Sequence, residues 1–147
     1  MEIERKYLVT RLPENLDSYP KRELEQGYLC TSPVVRIRKD NETYELTYKS
    51  KGLMVREEYN LPLTQESYEH LKTKVDGRII SKTRYMIPLA NALMIELDMF
   101  HEDLSPLLLA EVEFPDEETA NRFTPPEWFG DDVTFNAQYQ NSNLSKI

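Results

Sequence analysis

The chain has 147 residues and a net charge of −8, which comes from 26 acidic and 18 basic side chains. This acidic balance argues against general binding to nucleic acid or to membranes, so we expect neither partner and only a local anion site. A single cysteine, Cys30, excludes an internal disulfide; the first residues lack the apolar segment of a signal peptide, and no run has the roughly 18 apolar residues of a membrane span. We expect one domain, residues 1–147, in the cytoplasm.

Most predicted elements are short strands, because period-two alternation of apolar and polar residues recurs between turn signals. The stretches 40–42 and 89–92 are short enough to be hairpin connections. The sequence therefore predicts a mainly β (α+β) fold with a largely antiparallel sheet. The predicted strands lie at about residues 2–9, 23–30, 34–40, 43–50, 54–61, 79–88, 93–100 and 107–114.

Helices are fewer in this prediction. Thr64 is a suitable N-cap for a helix that continues to about Val75. A second helix is predicted from near Asp116 to Phe123, where two prolines stop it. The tail, residues 136–147, is predicted to be a short final helix or a docked arm, because its Asn and Ser residues are weak helix formers.

Charged side chains occupy alternate positions of the first predicted strand. Because successive strand side chains point to opposite faces, Glu2, Glu4 and Lys6 share one face, opposite Ile3 and Tyr7. The same sorting places acidic pairs and basic pairs on a nearly all-ionic face, with the acidic pairs and the basic pairs on different strands. The further members of this face are Gln26, Tyr28, Arg36, Arg38, Glu45, Lys49, Arg56, Glu58, Lys82, Arg84, Glu96, Asp98, Glu111 and Glu113.

The ionic face has two interpretations. For any one strand, the solvent side of an amphipathic sheet is the simpler one. A solvent face usually mixes charges of both signs, however, whereas here the acidic pairs and the basic pairs lie on different strands. If the sheet closes into a barrel with this face inward, its charges need a ligand, water or mutual pairing. A polyanion together with a divalent cation would meet that need.

The residue types match this chemistry. Arg offers a rigid fork of donors for phosphate oxygens and Lys a compact point charge, while Mg²⁺ and Mn²⁺ prefer carboxylate and phosphate oxygens. The predicted phosphate contacts are Arg36, Arg38, Lys49, Arg56, Lys82 and Arg84. The predicted metal ligands are Glu2, Glu4, Glu111 and Glu113, supported by Glu58, Glu96 and Asp98.

An ordered set of short motifs covers nearly the whole chain. Residues 2–6, EIERK, open the set; the later motifs are QGYL at 26–29, RIR at 36–38, Lys49, REEY at 56–59, KTRY at 82–85, ELD at 96–98, EVEF at 111–114 and PPEWFG at 125–130. In this order they resemble the CYTH superfamily, the triphosphate tunnel metalloenzymes, and EIERK matches that family's ExExK signature.

The resemblance implies an eight-stranded antiparallel β-barrel with a few flanking helices, whose tunnel binds a small-molecule triphosphate and one or two divalent metal ions. The chain is most similar to short bacterial inorganic tripolyphosphatases, which implies hydrolysis of tripolyphosphate to pyrophosphate and phosphate with Mg²⁺ or Mn²⁺. Lys6, besides binding phosphate, and Tyr28 would take part in water activation. Four alternatives stay open: a nucleoside triphosphatase, a thiamine triphosphatase, a class IV adenylate cyclase, and a non-catalytic polyphosphate- or nucleotide-binding module. A homodimer also stays open.

Two departures from the family pattern affect the expected site. Asn60 stands where relatives often carry a second Glu after the Arg-x-Glu of the fifth strand, which leaves one metal or water contact neutral. The C-terminal helix of close relatives is rich in Lys and Arg and plugs one tunnel mouth, whereas residues 135–141 here read FNAQYQN. This difference puts the phosphate contacts of the plug, and the length of substrate tolerated, in question.

Overall fold

The computed structural model describes residues 1–146, which form one sheet of ten strands with three short α-helices. The strands are β1 (Glu2–Val9), β2 (Lys21–Thr31), β3 (Val34–Asp40), β4 (Thr43–Lys49), β5 (Val55–Arg56), β6 (Glu58–Pro62), β7 (Asp76–Pro88), β8 (Met94–Phe100), β9 (Leu108–Glu113) and β10 (Phe129–Asp132). The helices are α1 (Gln65–Lys72), α2 (Glu117–Arg122) and α3 (Asn141–Leu144).

The strands close into a barrel through one segment that changes partner. Neighbours run in the order β1, β9, β8, β7, β2, β3, β4 and β6, and every pair is antiparallel. The predicted strand at 54–61 is wrong as one continuous strand, because it divides at Glu57 into β5, which pairs with β1, and β6, which pairs with β4. Counted as one wall segment, it completes the eight-stranded antiparallel barrel, so the predicted fold class is confirmed.

The apolar core lies outside the barrel wall. Outward side chains such as Leu97, Ala110 and Val112 are fully buried and pack against Ala120 of α2 and Phe129 of β10. The inward positions between them are charged. The barrel is therefore stabilised from its outer surface, where burial of apolar groups is favourable, and its lumen is left for polar groups.

A second apolar cluster closes one end of the lumen. Phe100 and Leu109 continue the inward rows of β8 and β9, and Leu144 of α3 packs against the same cluster. The tail is thus a docked arm, one of its two predicted forms, and it contains a single helical turn. Its backbone is fixed to β7, because Arg78 N–H donates to the Ser145 carbonyl at 2.7 Å.

The other helices follow their predicted caps. Thr64 accepts a hydrogen bond from the Ser67 amide at the start of α1, and Asp116 accepts one from Thr119 at the start of α2. Helix α1 ends at Lys72, three residues before the predicted Val75. No helix within residues 1–146 is long and apolar enough to cross a membrane.

Strand β10 was not predicted. It adds to the free side of β1, where Tyr7 pairs with Asp132 and Val9 with Phe129. Its sequence, FGDD, has four residues and no apolar alternation, so only pairing with β1 makes it a strand.

Candidate active site

A polar cavity of about 770 Å³, including the space at its mouth, occupies the barrel lumen. The predicted site residues line it with the exception of Lys82 and Asp98. Lining residues from β1 are Glu2, Glu4 and Lys6; those from the other strands are Tyr28, Arg36, Arg38, Lys49, Arg56, Glu58, Arg84, Glu96, Glu111 and Glu113. The ionic face of the sheet therefore points inward.

Acidic side chains form one sector of this cavity because their strands are neighbours. On β1 and β9, Glu4 is paired with Glu113, and on β8 and β9, Glu96 is paired with Glu111. Strand partners lie about 4.5–5.5 Å apart at Cβ, so carboxylates gather along β1, β9 and β8. Among them Glu4 and Glu111 are buried, whereas Glu113 is exposed at the mouth.

The carboxylates of the acidic sector differ in how well nearby cations compensate them. Burial, together with the charges of Glu111 and Glu2, raises the pKa of Glu4 to about 8. Burial is also the main reason that the pKa of Glu2 rises to about 7, although Lys49 opposes it. For Glu111, burial raises the pKa, but the charges of Lys6 and three further cations outweigh it and hold the pKa well below its usual range.

Basic side chains form the facing sector, led by Arg38 on β3. Its Nε and Nη2 atoms donate to the Gln26 side-chain oxygen at 2.8 and 2.5 Å, which fixes the plane of the guanidinium. Neighbouring Arg36 donates to the Thr47 hydroxyl at 2.9 Å. Burial and the charges of Arg36 and Arg84 lower the pKa of Arg38 to about 9, so an anion in the cavity would relieve a real excess of positive charge.

Cations and carboxylates also meet directly where the two sectors join. The Lys49 ammonium lies 3.0 Å from Glu2 and 3.3 Å from Glu58, and the Arg56 guanidinium lies 3.7 Å from Glu2 and 3.9 Å from Glu4. These ion pairs neutralise part of the charge of the lumen within the protein itself. An anion or a metal ion that enters must replace one partner of such a pair.

Of the predicted site residues, Lys82 and Asp98 are fully buried and are not part of the cavity wall. Lys82 pairs across the ladder with Phe100, and Asp98 with Leu109, so both lie at the level where the lumen is closed by apolar groups. There Asp98 binds the Lys82 ammonium at 2.6 Å and Arg84 at 2.7 Å. Asp98 thus neutralises and orients Lys82 and Arg84, which lie at the closed end of the basic sector.

Lys6 and Tyr28 both line the cavity but do not touch each other. The Lys6 ammonium lies 3.5 Å from Glu111 and donates to the Tyr139 carbonyl at 3.0 Å. The Tyr28 hydroxyl accepts a hydrogen bond from the Gln26 amide at 3.3 Å. No direct hydrogen bond joins the two residues in the part of the chain that the structure describes.

Neutral groups of the C-terminal segment, residues 136–146, contact three cations of the barrel interior. Besides the Tyr139 carbonyl on Lys6, the Gln140 side chain accepts from Arg56 and the Asn141 side chain accepts from Lys82, each at 3.3 Å. Gln140, Asn141 and Ser142 line the cavity. The plug departs from the family pattern as the sequence indicated, and its contacts are neutral.

Sequence reasoning missed Arg22 as a lining residue and named Asn60 only as a departure from the family pattern. Arg22 lines the cavity because β2 begins at Lys21, before the predicted start, which puts positions 22, 24 and 26 on one face. Thr47 donates to Asn60 at 2.6 Å, and Asn60 in turn donates to Glu58 at 3.1 Å. Asn60 is therefore a neutral link in the wall, and the parity of β6 was the signal that placed it there.

The donor set of the acidic sector fits a divalent metal ion. Carboxylate oxygens are what Mg²⁺ and Mn²⁺ prefer, and the raised pKa of Glu4 marks a place that lacks positive charge. Buried Glu111 Oε1 has no hydrogen-bond donor within residues 1–146. Within the same residues no three His, Cys, Asp or Glu side chains surround one point, and Glu2 forms ion pairs with Lys49 and Arg56.

The whole chain, residues 1–147, matches the family model described as the CYTH domain. The chain belongs to the CYTH family. The resemblance found in the sequence motifs is thereby confirmed, and the ionic lumen is a feature of this CYTH domain.

Two curated relatives of this CYTH domain extend over almost its full length. An inorganic triphosphatase of Nitrosomonas europaea is 42% identical over 148 aligned positions, which cover 98% of this chain and 96% of the relative. An inorganic triphosphatase of Acetivibrio thermocellus is 35% identical over 151 positions, which cover 99% and 93%.

Solved structures agree with the fold of this CYTH domain. A crystal structure of an inorganic triphosphatase matches with a TM-score of 0.73 at 38% identity and covers 99% of this chain and 94% of its own. A putative adenylyl cyclase from Hippeastrum matches with a TM-score of 0.61 at 16% identity, covering 82% and 83%, which is a likeness of fold alone.

Proposed function

We propose that this CYTH domain is a divalent-metal-dependent phosphohydrolase that converts inorganic tripolyphosphate into pyrophosphate and phosphate. The observation that carries the proposal is a single buried cavity in which a basic sector faces an acidic sector. A linear triphosphate has several charges in a row, and the basic sector offers several cations in a row. The two full-length relatives are inorganic triphosphatases, which supports the same substrate class.

The basic sector holds the phosphates in this proposal. Arg36, Arg38 and Arg84 present guanidinium groups to the lumen, with Arg38 oriented by Gln26 and Arg84 by Asp98. Lys49 and Arg56 would contribute after exchanging Glu2 for phosphate oxygens. Fixed donors of this kind stabilise charge that develops on phosphate oxygens during transfer, which is the main catalytic effect expected here.

The acidic sector holds Mg²⁺ or Mn²⁺ in this proposal, with Glu2, Glu4, Glu111 and Glu113 as the residues that would bind it. The metal ion supplies charge neutralisation between carboxylates and phosphate oxygens when bound. Glu58 and Glu96 line the same cavity and would support these ligands, whereas Asp98 acts only through Arg84 and Lys82.

Lys6 and Tyr28 act on the attacking water in this proposal. Lys6 lies next to Glu111, where the two sectors meet, so its ammonium would contact the phosphate nearest the acidic sector. Tyr28 would orient the water through its hydroxyl, which the Gln26 amide already positions. The two residues would then meet through ligand and water.

One chain supplies every residue of this cavity, so the site needs no homodimer. An acidic surface and a small buried cavity suit a small anion and no nucleic acid. We propose a cytoplasmic enzyme, formed by one domain over residues 1–147.

Phosphate release from four substrates tests the proposal. Tripolyphosphate, ATP, thiamine triphosphate and pyrophosphate are each supplied with Mg²⁺ or Mn²⁺, and with EDTA as the control. We expect tripolyphosphate to give the highest kcat/KM and EDTA to abolish turnover. A higher kcat/KM for ATP or thiamine triphosphate would make that compound the substrate in place of tripolyphosphate. Tight binding of tripolyphosphate without turnover would make the domain a binding module.

A further inference from the structure

A second cavity lies against the C-terminal segment, with about 640 Å³ of empty space including its mouth. Three cations, Lys51, Arg56 and Lys146, belong to its wall. The remaining lining residues are neutral: Thr31, Ser32, Pro33, Val34, Ser50, Gly52, Leu53, Ala137, Gln140, Ser142 and Asn143. Within the described residues no carboxylate lines this cavity, so the charged side chains of its wall are all cations.

The two cavities share a wall. Val34, Arg56, Gln140 and Ser142 line both of them. Arg56 has a side chain only 9% exposed, and its guanidinium lies 3.7 Å from Glu2 and 3.9 Å from Glu4 on the side of the central cavity. A buried guanidinium in the wall of both spaces is the feature that connects the second cavity to the first.

In the shared wall, the contact between Arg56 and Gln140 is weak and involves a neutral side chain. Gln140 meets Arg56 at 3.3 Å, a long hydrogen bond to a side chain without charge. A phosphate oxygen forms shorter and stronger charge-assisted bonds with a guanidinium than an amide oxygen does. An anion can therefore take the place of Gln140 on Arg56.

We propose that the second cavity is a phosphate subsite built by Lys51, Arg56 and Lys146. The inference rests on the proposed function of the central cavity and adds a binding place for one more phosphate group. That group has two sources: the end of a linear polyphosphate longer than three units, or free orthophosphate. Hydroxyl groups of Ser32 and Ser50 in the wall are further donors of the kind that phosphate accepts.

The double variant Lys51→Gln/Lys146→Gln tests the subsite, and Lys74→Gln is the matched control. Lys51, Lys146 and Lys74 are exposed, so the substitutions leave the core intact, and Lys74 has no ion pair or side-chain hydrogen bond within residues 1–146. Calorimetry of the metal-free protein with tripolyphosphate, tetrapolyphosphate and orthophosphate gives the affinities directly. Thermal melting confirms that each variant is folded.

We expect the double variant to lose about tenfold in tetrapolyphosphate affinity and to keep tripolyphosphate affinity within about twofold, with Lys74→Gln unchanged. If orthophosphate affinity falls about tenfold and tetrapolyphosphate affinity does not, the subsite stands and its occupant is the free anion. Unchanged affinity for both ligands overturns the proposal. Lys74→Gln removes one charge and the double variant two, so a loss of binding free energy in Lys74→Gln half as large as that in the double variant would also overturn the proposal, because net charge alone would explain both.

Catalysis separates this proposal from the proposed function. If wild-type protein fails to hydrolyse tripolyphosphate but the double variant still loses tetrapolyphosphate affinity, the central function is wrong and the subsite stands. If hydrolysis is normal and the double variant binds all three ligands as wild type does, the subsite is wrong and the central function stands.

Discussion

At the scale of single residues, the basic sector depends on groups that position cations as much as on the cations. Gln26 is fully buried and its side chain joins Arg38 to Tyr28. Asp98, equally buried, fixes Arg84 through two bonds of 2.7 and 2.9 Å. Positioned donors need no reorganisation when charge develops on a phosphate, which is why fixed guanidinium groups catalyse better than mobile ones.

Replacing Arg38 with Ala removes the most strongly crowded cation of the sector. We expect kcat/KM for tripolyphosphate to fall about 10²- to 10³-fold, or about 2–4 kcal/mol of transition-state stabilisation. Initial rates of phosphate release measure the effect. Arg122→Ala is the control, since that arginine is mostly exposed on α2 and pairs only with Glu118. A wild-type rate in Arg38→Ala would exclude this residue from the phosphate site.

Replacing Tyr28 with Phe removes one hydroxyl and keeps the ring. We expect kcat to fall more than about tenfold and KM to stay within about twofold, because the hydroxyl is proposed to act on the water and not on substrate binding. Tyr59→Phe, on an exposed outer position, is the control. Equal kcat values in Tyr28→Phe and wild type would leave Tyr28 as part of the cavity wall.

Glu4 links stability to pH in the metal-free protein. Its folded pKa of about 8 lies above the ordinary value of 4.5, so burial of the neutral carboxyl is tolerated at low pH, and the folded state loses stability progressively as the pH rises from 4.5 to about 8. We expect Glu4→Gln to remove this penalty, on the order of 3 kcal/mol between pH 5 and 9, in urea denaturation with EDTA.

The substitution that stabilises the metal-free protein at high pH should weaken metal binding. Glu4→Gln should lower the affinity for Mn²⁺ at least about tenfold, because a carboxylate ligand is lost. Glu127→Gln, at an exposed site, is the control for both measurements. If the stability curves of Glu4→Gln and wild type run parallel, the buried carboxyl is not the group that titrates.

At the scale of elements, the C-terminal segment is seated by one glycine of β7. Gly77 has a φ of +70°, and a Cβ atom at this position would collide with the Ser145 carbonyl. The hydrogen bond from the Arg78 amide to that carbonyl depends on the same close approach. The position of the segment therefore depends on the backbone conformation at Gly77 and not on side-chain contacts there.

Gly77→Ala should displace the C-terminal segment. We expect a loss of about 1–3 kcal/mol in the free energy of unfolding, from strain at a positive φ and the collision with Ser145. Urea denaturation measures the loss, and limited proteolysis should cut the tail faster. Ser81→Ala in the same strand is the control, because that side chain makes no hydrogen bond within residues 1–146. Wild-type stability and proteolysis would show that the seat tolerates a side chain.

Sequence parity predicted the ionic lumen well because β1, β8 and β9 are regular strands with a period of two. It failed where pairing and not local pattern decides the structure. The division at Glu57 reflects two different partners, and β10 has too little apolar character to be seen alone. Parity gives the face of a strand and not the level along it, so it did not predict that Lys82 and Asp98 lie at the closed end of the lumen, where the tail packs.

At the scale of the whole molecule, positive and negative sectors face each other inside one barrel while the outside supplies the apolar core. Burial of charge is costly unless it is compensated, and the ion pairs of Lys49, Arg56 and Lys6 compensate only part of it. An anion with its metal would complete the compensation. The folded state should therefore be stabilised by its ligand.

Tripolyphosphate with Mg²⁺ should raise the melting temperature under conditions in which turnover is slow. At a hundred times the dissociation constant, linkage gives about 2.7 kcal/mol, which corresponds to about 5–10 °C for a domain of this size. Differential scanning fluorimetry measures the shift, and sodium chloride of equal ionic strength is the control. A shift of the same size in sodium chloride would indicate general screening and no specific ligand.

The placement of the apolar core outside the barrel wall separates two kinds of inherited change. A substitution among the charged residues that line the central cavity alters which ligand is bound without removing a group from the two apolar clusters, whereas a large-to-small substitution of an outward apolar residue leaves a void in the packing. A lineage with this architecture can exchange these charged residues and keep a folded protein, provided that the partners of a buried ion pair such as Lys49 and Glu2 change together. Directed evolution toward another anion should accordingly find most of its useful substitutions among the inward positions.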